Sequence, residues 1–298
     1  MPADQLTTDL PRTDLEVDGR WWQTNIEFHD WTAAADTVSG HLRPVLDRLP
    51  ARWWYIRKHP HWRIRHQPHN QAELNAPLPA LLDALTADAV VRTWHPAIYE
   101  PEAVAFGGPA GMRVAHELFC RDSPTTLHLL TAAPAPEPAA GRVELSLLAI
   151  SRMLRAAGLD WYEQGDVWAK VAASRPHSAI NSPTRTPTRI PTPTTGRPVA
   201  AAAPSAARRL LTLDTGPNTD LTTHGPLARH RSWLDAFDDT GTRLATLAAT
   251  GQLARGLRAV LAHHVIFHWN RLAIPGDDQH TLAVLSRDAL LPPDTATR

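Results

Sequence analysis

The sequence predicts an α+β fold: a mixed sheet packed with several helices, in a single domain that carries a Pro/Thr/Arg-rich disordered insertion. Three observations predict it. Period-two alternation is confined to the first third of the chain, where the order is strand, helix, strand pair, helix, strand, and not a regular βαβ repeat. After Pro109 the apolar residues recur at helical spacing only. Residues 174–209 break this pattern, with Pro176, Pro183, Pro187, Pro191, Pro193, Pro198 and Pro204 among Ser, Thr and Ala, and six arginines with no acid. Such a composition cannot build a core. The helices beyond it are too few to stand alone. They are expected to pack back on the first half, giving a flexible N-terminus over 1–19 and one domain over 20–298 interrupted at 174–209.

Each element has its own reason. Trp22, Thr24, Ile26 and Phe28 alternate with Gln23, Asn25 and Glu27, which reads as a strand. Val38, Leu42, Val45, Leu46 and Leu49 lie at helical spacing within 33–49, with Pro44 a point for a kink or break. Residues 52–57 and 62–66 read as two strands joined by 58–61. In the second, Arg63 and Arg65 alternate with Trp62, Ile64 and His66, so period two sends both guanidiniums to one face. A Leu/Ala-rich helix over 78–88 follows, then a strand over 90–99 in which Pro96 favours an edge. Gly107-Gly108 before Pro109 is turn chemistry at a helix start. That helix continues through Val114, Leu118 and Phe119, and others follow over 124–133, 142–157 and 161–173, the last N-capped by Asp160. Beyond the insertion, helices are expected over 229–250, 253–273 and 281–291, with IPGDDQ as a loop.

Composition excludes several classes. A net charge of +0 supplies no global field to gather nucleic acid. One cysteine, Cys120, rules out an intrachain disulfide framework and fits a reducing compartment. No apolar run approaches ~18 residues, so no membrane span is expected, and the acidic N-terminus lacks the apolar segment of a secretory signal. A cytoplasmic, soluble protein is expected. The eleven tryptophans suit half-buried surfaces or a peptide-binding groove. The arginines of 174–209 offer charge to an acidic partner such as RNA or a peptide, although most such runs are only solvated.

Three clusters carry candidate chemistry. Arg57, Arg63 and Arg65 can grip a carboxylate or steady an oxyanion, or else form an exposed polar face. Glu100 and Glu102 stand beside Gly107-Gly108, where a backbone can come close to a ligand, or simply turn. Leu257, Leu261, His264, His268 and Arg271 follow at steps of four, three, four and three, so one helix face changes from apolar to ionisable. Such a face needs partners or a ligand. No metal is expected: HExxH is absent, position 265 being Val. A histidine acting as acid or base suits the stripe better. There is no Walker loop, dinucleotide fingerprint or GxSxG motif.

At these residues the chain resembles a known family. WWYIRKHPHWRIRH (53–66), YEPEAVAFGGPAGMRVAHELFCRDS (99–123), YEQGDVWAKVAASRP (162–176) and LAHHVIFHWNRL (261–272) resemble small thiopeptide-type bacteriocin biosynthesis proteins. These are similar to the C-terminal, glutamate-elimination domain of lantibiotic dehydratases. The resemblance implies removal of glutamate from glutamylated Ser or Thr of a ribosomal precursor peptide, leaving dehydroalanine or dehydrobutyrine. It implies no cofactor, and a separate glutamylating subunit that itself uses the tRNA. Matched to the family motifs, Arg63, Arg65 and His268 are the catalytic residues, the arginines binding carboxylate or enolate and His268 moving the proton. Arg57, Lys58, Asn270 and Arg271 are implied as substrate-binding auxiliaries. One departure stands out: full-length relatives often read RYGG where this chain has Ala105-Phe106-Gly107-Gly108. Either another arginine, such as Arg113, substitutes, or the site is repurposed. The alternatives are a cycloaddition enzyme that joins two dehydroalanines into a six-membered nitrogen ring, and a non-catalytic peptide-binding subunit.

Overall fold

Strand β1 (Trp22–Phe28) is held between β3 (His61–Gln67) and β4 (Val91–Ile98), and β2 (Arg52–Lys58) closes the other edge, giving the order β2-β3-β1-β4. The computed structural model describes residues 21–49, 52–67, 77–132, 140–176 and 199–291. The α+β class is what is observed. In strand direction, however, the sheet is antiparallel at all three pairings and not mixed. The β2–β3 connection is only His59-Pro60, too short for a parallel crossover. Pro96 lies in β4 at the sheet edge, where a missing N–H removes no inner ladder bond.

The two faces of the sheet bury different cores. Ile26, Phe28, Trp53, Tyr55, Trp62 and Ile64 share one with α1 (Ala34–Thr37), α2 (Arg43–Leu46) and α3 (Pro77–Ala87). Trp54 and Ile56 point the other way, towards Phe106, Phe119 and Phe267. A π-turn, Val38–Leu42, joins α1 to α2. Pro44 then falls in the first turn of α2, where a proline is tolerated, so the chain does not break there.

The rest is helical: α4 (Pro109–Thr131), α5 (Arg142–Ala156), α6 (Trp161–Ser174), α7 (Val199–Thr212), the short α8 (Asp220–Thr223), α9 (Arg231–Ala249), α10 (Leu257–Arg271) and α11 (Gly276–Leu290). Asp160 and Glu163 form a reciprocal capping box at the start of α6. The α4 helix runs through Pro124, where two helices were expected. Tertiary bonds on both sides hold it: the Tyr55 amide donates to Ser123 Oγ at 3.2 Å, and Asp122 is tied to α9 and α10. Likewise α11 begins at Gly276, because Asp277 and Asp278 favour a helix first turn over the expected loop.

The expected insertion is ordered at both ends. Ser174 closes α6, and residues 199–209 belong to α7, whose Leu211 is buried and whose backbone accepts from Ser151 Oγ. The alanine run there is a strong helix former. Residues 177–198 and the expected flexible N-terminus lie outside the described residues. Of the tryptophans, Trp54, Trp62, Trp168 and Trp269 are fully buried, while Trp22, Trp31 and Trp94 are half-buried. Among the described residues no helix is long and apolar enough to cross a membrane.

The Gly107-Gly108 turn packs against protein: a Cβ on Gly107, at φ +84, would stand 2.6 Å from Leu253. Gly107→Ala is therefore expected to lower unfolding free energy by about 2–4 kcal/mol, from a left-handed backbone plus overpacking. Urea denaturation checks this, and an unchanged midpoint would contradict the packing described.

Candidate active site

The pleat of β3 sends Arg63 and Arg65 to the face shared with Trp54. Gln23, Arg65 and Trp54 form one cross-strand row. Arg65 Nε donates to Gln23 Oε1 at 2.7 Å, and the guanidinium lies 4.3 Å from the Trp54 ring and 4.4 Å from Tyr99. It is only 7% exposed. Burial lowers its pKa to about 10, with the Tyr99 phenol opposing that shift and the like charge of Arg63 adding to it. Arg271 and Glu102 are also close enough to contribute. Lys58 ends β2 on the same face, exposed, and its charge helps hold Glu102 ionised. Arg57 is not brought into this cluster. It leaves on the opposite face, 5.0 Å from the rings of both Trp31 and Trp62.

A second layer lies on α4 and α10. Asp122 is fully buried and takes three donors: Arg271 Nε and His268 Nδ1 on Oδ2, each at 2.8 Å, and Trp233 Nε1 on Oδ1 at 2.8 Å. Burial would raise this carboxyl, but the charges of His268 and Arg271 outweigh it and hold it at about 2. A carboxylate only accepts, so His268 Nδ1 carries the hydrogen. His268 Nε2 lies 2.9 Å from Ser146 Oγ, which also accepts from Trp269 Nε1. Ser146, His268 and Asp122 thus have the connectivity of a serine-hydrolase triad. None of the three has exposed surface, so no acyl group reaches the hydroxyl.

His268 has no free nitrogen, and it faces Trp233 and Phe237, not Arg65. The structure does not bring the two side chains into contact. What lies between them is Arg271. Its guanidinium stacks 4.5 Å from Phe119, its Nε is spent on Asp122, and both terminal nitrogens are buried and, among the described residues, have no hydrogen-bond partner. His264 stands beside Phe106 and Phe119, also buried, and among the described residues neither ring nitrogen has a hydrogen-bond partner. Asn270 is held apart: its Oδ1 accepts from Gln279 Nε2, while Gln279 Oε1 takes Arg175 Nε.

Sequence reasoning passed over Asp122, Ser146 and His263. His263 Nε2 lies 3.0 Å from Glu102 Oε2, so the glutamate cluster and the histidine helix meet. Arg113, one substitute considered for the missing arginine, is exposed on α4, while the Ala105 carbonyl accepts from Arg255 Nη1 at 2.7 Å. A cavity of about 220 Å³ lies on the other face of the sheet, lined by Trp22, Thr24, His66, Leu82 and Trp94, and includes no arginine. Among the described residues no group of three His, Cys, Asp or Glu is arranged to hold a metal.

A family model described as lantibiotic biosynthesis dehydratase C-term matches residues 21–290. Among solved structures, the chain is similar to the tRNA-dependent lantibiotic dehydratase MibB from Microbispora sp. 107891, at 18% identity and TM-score 0.62 over 91% of this chain. It spans 28% of the MibB chain. It is also similar to TbtD, the pyridine synthase from thiomuracin biosynthesis, at 16% identity and TM-score 0.57 over 91% of this chain and 97% of that one. At these identities the likeness is one of fold. No curated protein matches the chain.

Two outcomes follow from the buried groups. Asp122→Asn removes the charge that neutralises Arg271 and should cost about 3–5 kcal/mol in chemical denaturation. Burial pushes His264 down to about 3, with the charges of His263 and Arg271 adding to it. Below pH ~6.5 the unfolded chain takes a proton that folded His264 refuses, so stability present above that pH is lost as pH falls towards 3. His264→Leu should flatten this slope, and identical slopes in the two proteins would refute it.

Proposed function

The chain belongs to the lantibiotic biosynthesis dehydratase C-terminal family, and on that premise we propose that it eliminates glutamate from glutamylated Ser or Thr in a ribosomal precursor peptide. The product is dehydroalanine or dehydrobutyrine. The observation that carries this reading is the excess of positive charge around one small volume. Four cations, Arg63, Arg65, Lys58 and Arg271, gather with two acids: Glu102 near Arg65 and Lys58, and Asp122 on Arg271 Nε. Arg271 has no exposed surface, and among the described residues its two terminal nitrogens have no hydrogen-bond partner, so it adds positive charge from beneath this volume without touching the substrate. A substrate carboxylate presents the geometry that arginine guanidiniums match.

The reaction needs this charge twice. Removing an amide α-proton builds an enolate, which preorganised cations stabilise. The ester oxygen then departs with glutamate, whose carboxylates Arg63 and Arg65 hold. Trp54, Tyr99 and Phe119 cover the guanidiniums and keep the local dielectric low, which strengthens both effects. Lys58 stands at the rim for a substrate carboxylate. In this reading His268 serves through Asp122: it keeps the carboxylate ionised and so fixes Arg271. Asn270 supports α10 through Gln279, and Arg57 steadies the hairpin from behind. Glutamylation falls to a separate subunit that draws on glutamyl-tRNA, which puts both proteins in the cytoplasm.

A second reading is a pyridine-forming cycloaddition. Ala105 favours it, since no side-chain charge stands where the resemblance expects an arginine to aid glutamate loss. The two separate on substrate. Given a glutamylated precursor peptide, the protein should release free glutamate and a peptide one water lighter than the unmodified precursor. Arg65→Ala should slow this by about 10²–10³-fold, the usual loss for one preorganised donor. Mass spectrometry and a glutamate assay read both. No glutamate release, with a leader fragment liberated from a fully dehydrated peptide, would replace elimination by cycloaddition.

A further inference from the structure

Elimination, the reading on which this inference rests, releases a proton as well as glutamate. Glutamate departs as a carboxylate and takes no proton with it. The base that receives the α-proton must therefore return it to solvent at every turnover. His268 and His264 have no surface for that exchange, and His268 has both nitrogens occupied. His263 meets the requirement. Its side chain is 22% exposed, its Nε2 is bonded to Glu102 Oε2 at 3.0 Å, and among the described residues its Nδ1 has no partner. Glu102 is 56% exposed and lies within the influence of Arg65 and Lys58, so the pair sits at the rim of the cationic site. Phe106 and Phe267 pack against the imidazole and set its orientation.

We propose that His263 is the general base of the elimination, with Glu102 as its positioning partner. His263 Nδ1 takes the α-proton, and the Cα–H electrons pass into the enolate. They return to form the Cα=Cβ bond as the Cβ–O bond to glutamate breaks. The Nε2–H stays on the Glu102 carboxylate, which stabilises the imidazolium, and the Nδ1 proton leaves to water. The groups facing the pair are Glu102 and Arg65, Lys58, Arg175, His264 and Arg271, of which all but the neutral His264 and the anionic Glu102 are cations. Glu102 is the one among them that favours the imidazolium.

The test follows glutamate release from a glutamylated peptide with the full chain. His263→Gln should lower kcat by about 10²–10⁴-fold with peptide binding unchanged. His263→Ala should regain rate on addition of imidazole. Glu102→Gln should lower kcat with KM unchanged, and Glu102→Asp should restore rate, because the imidazole regains a carboxylate that orients it; a merely structural role would not give this split between kcat and KM. An active wild type with equally active His263→Gln, or a Glu102→Gln variant with unchanged kcat, overturns the assignment alone. A wild type that releases no glutamate overturns the elimination reading, and the assignment with it.

Discussion

One buried carboxylate organises this molecule. Asp122 sits midway along α4 with no exposed surface, and it receives Arg271 and His268 from α10 and Trp233 from α9. An ion pair of this kind is weak evidence for stability, since desolvation offsets much of its attraction. Its value is geometric. The consecutive helices α9 and α10 are fixed to one point on the sequence-distant α4, and α4 is fixed in turn to the free edge of β2 through Ser123. The Tyr55 hydroxyl donates to the Arg271 carbonyl at 3.2 Å, so the same arginine is gripped at side chain and backbone.

From that anchor the polarity of the site follows. Asp122 accepts from Arg271 through Nε alone, and among the described residues the outer nitrogens of the guanidinium have no hydrogen-bond partner. Aromatic faces cover them and Arg65, and aromatic faces tolerate cations without neutralising them. The result is a region that holds positive charge in a low dielectric with few counter-ions of its own. A chemistry that develops negative charge gains most from such an arrangement, and the match to the dehydratase C-terminal family is consistent with that demand.

The fold was largely legible. Alternation over 22–28 and 62–66 located the strands to within a residue, because a half-buried sheet leaves a period-two trace. Asp160 was readable as a cap because capping is local chemistry. Pro124 misled because local propensity marks a break there, while packing on both flanks of α4 overrides it. The pair Arg63 and Arg65 was legible for the same period-two reason. Arg57 looked equivalent in sequence, yet one pleat step on another strand turns it to the far side of the sheet.

The sequence by itself determined which residues share a face: two arginines on one side of a strand, and histidines with an arginine on one side of a helix. These are consequences of backbone period, which each segment carries within itself. Only the tertiary structure decided which of those faces meet. Asp122, Ser146 and Glu102 find hydrogen-bond partners 122 to 161 residues away, at 2.8–3.0 Å. A hydrogen bond of that length depends on the docking of whole elements, and no local pattern encodes it. The same docking enclosed His268 and left His263 at the surface, a distinction of solvent access that five positions along one helix do not reveal.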